Sequence, residues 1–178
     1  MDTIKEWTKS GIIAIIILGF LLHSVYSWTD SLNIIGLFAP VNESVWEHLK
    51  LGYWSVVLFS IAEYSHIRDR VNNYFVAKII GVVVLELMII IIYYSYNLIS
   101  NKNILLIDIS SYIIGTVFCQ YIAYLLFRVK SLSLTFNRIS LALFIALGIL
   151  FGVTTYHPPH IGLFKDNHTK TFGIHKER

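Results

Sequence analysis

Glu43, Glu47, His48 and Lys50 lie within the single stretch PVNESVWEHLKLGYW (residues 40–54), which then continues into the apolar run LGYWSVVLFSIA. Carboxylates beside an imidazole are the groups of general acid–base chemistry and of zinc coordination. On a helix Glu43 and Glu47 share a face, with Lys50 three residues beyond Glu47 and able to pair with it. His48 points roughly 100° away from Glu47 and reaches toward a different neighbour. We read Glu47 and His48 as candidate acid/base residues. Candidate metal ligands are Glu43, Glu47 and His48, joined by His157 and His160 of YHPPHIGLF. The two prolines there stop a helix and favour an extended stretch, placing the two imidazoles on one face about 9 Å apart. With a single cysteine in the chain, histidine and carboxylate ligands suit a divalent ion such as Zn²⁺, or Fe or Mn, better than Cu(I). A non-chemical alternative is an interfacial helix start, with an acidic first turn, Trp46 as anchor and Lys50 snorkelling outward, followed far downstream by a proline turn with solvated histidines.

The elements that must position these residues are long and oily. Of 178 residues, 56% are hydrophobic and 14% charged, against about 45–50% and about 25% in soluble domains. A spanning helix needs about 20 mostly apolar residues. Five segments meet or approach this: 11–28, 42–65, 74–96, 104–127 and 136–156. The expectation is an all-α, polytopic membrane bundle of five transmembrane helices, forming one domain over 1–178 with an outer tail at 157–178. The second segment has only a short fully apolar middle. Lys5 and Lys9 before an apolar run resemble a signal peptide, but HSVYSW is a poor cleavage site, so an uncleaved first helix is expected. Pro40 precedes the second helix, which Asn42 or Ser44 can cap. Residues 29–39 mix polar and apolar side chains, as a short interfacial helix does. Trp7, Trp28, Tyr93, Tyr94 and Tyr96 cluster near span ends, where aromatic rings settle.

Lys5, Lys9, Arg68, Arg70, Lys78, Arg128, Lys130 and Arg138 fall on one side of this arrangement. The opposite loops contribute only Lys102. The positive-inside rule then places the N-terminus in the cytoplasm and the C-terminus outside, in the plasma membrane. The tail, with Lys165, Lys170, Lys176 and Arg178, runs against that bias. His23, Asp108, the 43–50 cluster and the tail histidines gather on the outer side whichever way the bundle is inserted, and six of the seven histidines belong there, His66 being the exception. Glu63 and His66 read as solvated residues at the inner edge, able to pair with each other and with Arg70. Glu86, in VVVLELMIII, lies mid-span, where a carboxylate normally faces the bundle interior. It is a supporting site residue along with His23 and Asp108. Its expected partner is Gln120 or Ser111, and that of Asp108 is His23 or Lys50.

The modest net charge of +3, spread over short loops, argues against nucleic-acid binding. The lipid bilayer is the one partner that the composition implies, with a homo-oligomer left open. Phosphate-loop, nucleophile-elbow and zinc-helix motifs are absent. In FAPVNESVWEHLKLGYW and TTYHPPHIGLFKDNHTKTFGI the chain resembles a family of small bacterial integral membrane proteins of unknown function. That family carries an N-E-S-x-W-E-H-x-K element and a C-terminal Pro-Pro-His stretch. The resemblance implies membrane location and architecture and no activity. Three functions stay open: an outward-facing metal or acid/base site, a non-catalytic structural, sensory or accessory protein, and a proton-coupled transporter using Glu86.

Overall fold

The structure, a computed structural model, describes residues 3–100 and 102–174. His175, Lys176 and Arg178 lie outside the described residues. Long helices dominate: α1 (Thr3–Trp28), the single turn α2 (Asn33–Gly36), α3 (Val45–Ile67), α4 (Tyr74–Ser100), α5 (Leu105–Arg128) and α6 (Leu134–Tyr156). Ser44 caps α3, its hydroxyl accepting from the Glu47 N–H at 3.3 Å. Ser133 does the same for α6. Caps matter here because the first N–H groups of a helix have no partner within it.

Four helices, α1, α4, α5 and α6, are long and apolar enough to cross a membrane. The expected fifth, over 42–65, is not among them. The reason lies in where α3 sits. It packs between α1, α4 and α6, and 13 of its 23 residues are buried, against 4 of 26 in α1. A helix covered by protein need not be apolar all round, and α3 uses that freedom to enclose Glu47, Lys50 and Glu63. The core around it is apolar, with Ile15, Tyr53, Val56, Leu85, Tyr112 and Phe151 at its centre.

Two ends can be told apart. At one, Arg70 donates to the Thr3 hydroxyl at 3.0 Å, and the Asn72 N–H donates to the Phe127 carbonyl at 3.0 Å. The Asn73 carboxamide also bonds the Lys130 carbonyl and the Leu132 N–H. The start of α1, the α3–α4 turn and the α5–α6 link therefore meet there. At the other end, Tyr156 donates to the Asn33 carbonyl, Tyr96 to Asp108 at 2.6 Å, and Tyr93 to Asn167 at 3.0 Å. α3 runs from the second end to the first.

Two expectations about charge are corrected. Glu63 is not solvated: it is fully buried and ion-paired with Lys78 of α4, and Tyr74 donates to it at 2.8 Å. The Lys78 ammonium sits 5.5 Å from the ring centres of Phe59, Tyr74 and Phe127, a cation–π arrangement. His66 instead lies exposed against Trp7. Lys50 does not snorkel outward; it is 0% exposed.

Candidate functional site: two histidines and a glutamate

His48 lies in the first turns of α3, four residues after the Ser44 cap. Its Nδ1 is 2.8 Å from the Ser44 carbonyl. A carbonyl only accepts, so Nδ1 carries a proton, and Nε2 is the ring nitrogen turned to Glu43. Nε2 is 3.5 Å from Glu43 Oε2. The other carboxylate oxygen, Oε1, is 3.6 Å from His23 Nε2 near the end of α1. The two imidazole rings tilt against each other with centres 5.7 Å apart. His23, Glu43 and His48 each offer a donor atom within 4.8 Å of the others, and they are the one such group of three found among the described residues.

Glu43 stands just before α3 and is held by the segment after α6. Its N–H donates to Asp166 Oδ2 at 3.0 Å, and its carbonyl accepts from the Asn167 carboxamide at 2.9 Å. Asn42 bonds the Gly173 carbonyl at 2.9 Å, and the Phe164 ring packs 4.6 Å from that of Trp46. Gly173 has φ +66° and packs against Pro158 and the Thr155 carbonyl, a left-handed turn that glycine adopts without strain. The His23 imidazole beside the Glu43 carboxylate holds that carboxyl below its ordinary range, and His48 adds to this, against partial burial. For Asp166, burial acts to raise the carboxyl's pKa. The N–H groups of Thr169, Glu43 and His168 outweigh burial, and it titrates low.

Glu47 faces elsewhere. Only 2% exposed, it pairs with Lys50 at 2.5 Å and accepts from the Val41 N–H at 3.0 Å. Lys50 also donates to the Gly36 carbonyl at 2.7 Å and to the Thr155 hydroxyl at 2.8 Å. This knot, in which the Thr155 hydroxyl also reaches Glu47 Oε1 at 3.2 Å, ties the α1–α3 link to α6 and uses all three donors of the Lys50 ammonium. His157 caps the end of α6, and His160 is exposed against the Phe172 ring; neither belongs to the three-residue group. Asp108 is bound by Tyr96 and is near enough to feel both His48 and Glu43. Glu86 sits halfway along α4 with Oε1 enclosed and without a hydrogen-bond partner, and neither Gln120 nor Ser111 bonds it.

The sequence places Asp166 with the tail histidines on the outer side, but nothing in it links Asp166 or Asn167 to Glu43. The one hint was the apolar IGLF beside them, which favours a tail that folds back.

The chain matches over residues 1–174 the model of a family of unknown function, DUF6512, and it belongs to that family. Comparison with curated proteins finds no match, and neither does comparison with solved structures.

Proposed function

For this member of a family without an assigned role, we propose a polytopic membrane protein that binds a divalent transition-metal ion through His23, Glu43 and His48. One observation carries the reading. With Nδ1 of His48 donating to Ser44, its Nε2 lone pair faces the Glu43 carboxylate at 3.5 Å. Two acceptors facing each other repel unless a positive charge stands between them. A metal ion supplies that charge; so does a proton on Nε2, which is the acid/base form of the same site. Bonds of about 2.1 Å to a tetrahedral zinc put neighbouring donor atoms about 3.4 Å apart; here each Nε2 lies 3.5–3.6 Å from a different oxygen of Glu43, and one donor atom from each residue falls within 4.8 Å of the others, so an ion would draw the three side chains in. Two imidazoles and one carboxylate leave at least one coordination position open, as catalytic rather than structural zinc and iron sites do. The carbonyl on His48 and the Asp166–Asn167 clasp on the Glu43 backbone are the kind of outer support that fixes ligand orientation.

In this reading the end bearing Lys9, Arg68, Arg70, Lys130 and Arg138 faces the cytoplasm of a plasma-membrane protein, and the metal site faces outward.

Titration of the purified, chelator-stripped protein with Co²⁺ tests the reading. Visible absorption bands of four- or five-coordinate Co²⁺, saturating at one ion per chain, are expected. They should vanish in Glu43→Gln and in His48→Ala and persist in His157→Ala. Bands unchanged in His48→Ala would refute the assignment. A folded protein without bands, whose His48 gains a proton on titration, would make the triad an acid/base site.

A further inference from the structure

The two imidazoles also line a cavity of about 160 Å³ between α1, α3 and α5. Its other walls are Phe20, Leu51, Leu105, Ile109, Gly19 and Tyr112. The Tyr112 hydroxyl donates to the Ile15 carbonyl at 2.7 Å. Among the described residues that line it, His23, His48 and Tyr112 are the ones with polar side-chain atoms, and the space is otherwise oily. Gly19 lets the Tyr112 ring lie against α1, since a Cβ there would stand 2.6 Å from a ring carbon. The mouth opens sideways: Phe20 is 50% and Leu105 72% exposed, on helices apolar enough to meet lipid. On the other flank of His23 and Glu43 lies a second hollow of about 250 Å³, edged by Ser24, Ser27 and Asn42. His23 lines both, between an apolar chamber and one of mixed polarity.

We propose that this site takes a single-chain amphiphile: an alkyl chain entering between α1 and α5 from the lipid, with an anionic oxygen head group set against His23, Glu43 and His48. An apolar cavity of about 150 Å³ holds a benzene ring, so this one encloses a short stretch of chain while the remainder stays in the bilayer. A carboxylate or phosphate head completes the open coordination of a bound cation without a bond being made or broken. The head-group half of this inference rests on the metal reading; the chain half rests on the cavity alone.

The test uses full-length protein in nanodiscs and palmitic acid carrying a diazirine close to its carboxyl end, photolysed with Zn²⁺ present and after chelation. Adducts mapped by mass spectrometry are expected to concentrate on Phe20, Leu105 and Ile109, several-fold above Leu143 and Ile149, which are exposed on α6. Zinc should raise this labelling several-fold in the wild type and not in His48→Ala. Ile109→Trp, which fills the cavity, should abolish the preference. Leu105→Trp, at an exposed position where misfolding is not at issue, should do the same. Adducts spread evenly over all lipid-facing helices, or unmoved by either tryptophan, would overturn the proposal even if zinc binds. Failure of zinc to bind, with labelling still focused on Phe20 and Ile109 and lost in both tryptophan variants, would remove the metal and leave the chain-binding cavity standing.

Discussion

Lys50 and Lys78 are both completely enclosed, and each has one carboxylate against it: Glu47 for Lys50, Glu63 for Lys78. Enclosed pairs are fragile to single changes. Breaking one by removing a partner costs about 3–5 kcal/mol, whereas replacing both with apolar residues is often neutral. Lys50→Met is therefore expected to destabilise the protein by about 3–5 kcal/mol in mixed-micelle unfolding, and Lys50→Met/Glu47→Leu to regain most of it. Equal loss in both would show that the pair is not the source. The Glu47–Lys50 pair is legible in the sequence because its partners are three apart on one helix. The Glu63–Lys78 pair is not, since its members lie on different helices and Glu63 has a closer apparent partner in His66. Glu43 and His48 stand out by type and position, and His23 by depth alone. The docking of Asp166 on Glu43 has no local signature. Because the Asp166 carboxyl titrates below its unfolded value of about 3.9, its contribution is complete above that pH and is lost as pH falls through the lowered value. The tail should therefore loosen only in acid, below about pH 4. Release of Phe164 from Trp46, followed by tryptophan fluorescence, checks this, and Asp166→Ala should show the acid signal already at neutral pH.

At the scale of elements, α4 and α5 form the most extensive helix pair, and glycine sets their approach. A Cβ at Gly81 would stand 3.0 Å from the Cys119 carbonyl oxygen, and one at Gly115 3.1 Å from that of Leu85. Small residues allow such close packing between helices in lipid. Gly115→Leu should force the pair apart and cost about 1–3 kcal/mol, measured by thermal unfolding in detergent. Gly162→Ala, with nothing within 4 Å, should be silent. The long apolar runs announce four of the helices directly. α3 is the instructive exception: its length is visible, but its polarity comes from partners on α4 and α6 that no periodicity within 42–65 reveals. Of the short helix expected over 29–39 there is the single turn Asn33–Gly36, held where Lys50 bonds the Gly36 carbonyl.

For the molecule as a whole, the two ends differ in kind. One gathers Arg68, Arg70 and Lys130 around hydrogen-bonded turns; the other gathers the histidine–glutamate group beneath a folded-back tail. Cys119 is buried, so single cysteines introduced at Asn103 and Lys130 can be labelled over little background. An impermeant maleimide added to intact cells should modify position 103, and position 130 only after permeabilisation; the opposite pattern would invert the orientation. The most direct measurement is the metal content of gently purified protein by elemental mass spectrometry, beside His23→Ala/His48→Ala. Near one zinc, iron or manganese ion per chain in the wild type and none in a folded double variant is expected. Equal metal in both, or none in either after purification without chelators, would contradict a metal site at His23, Glu43 and His48.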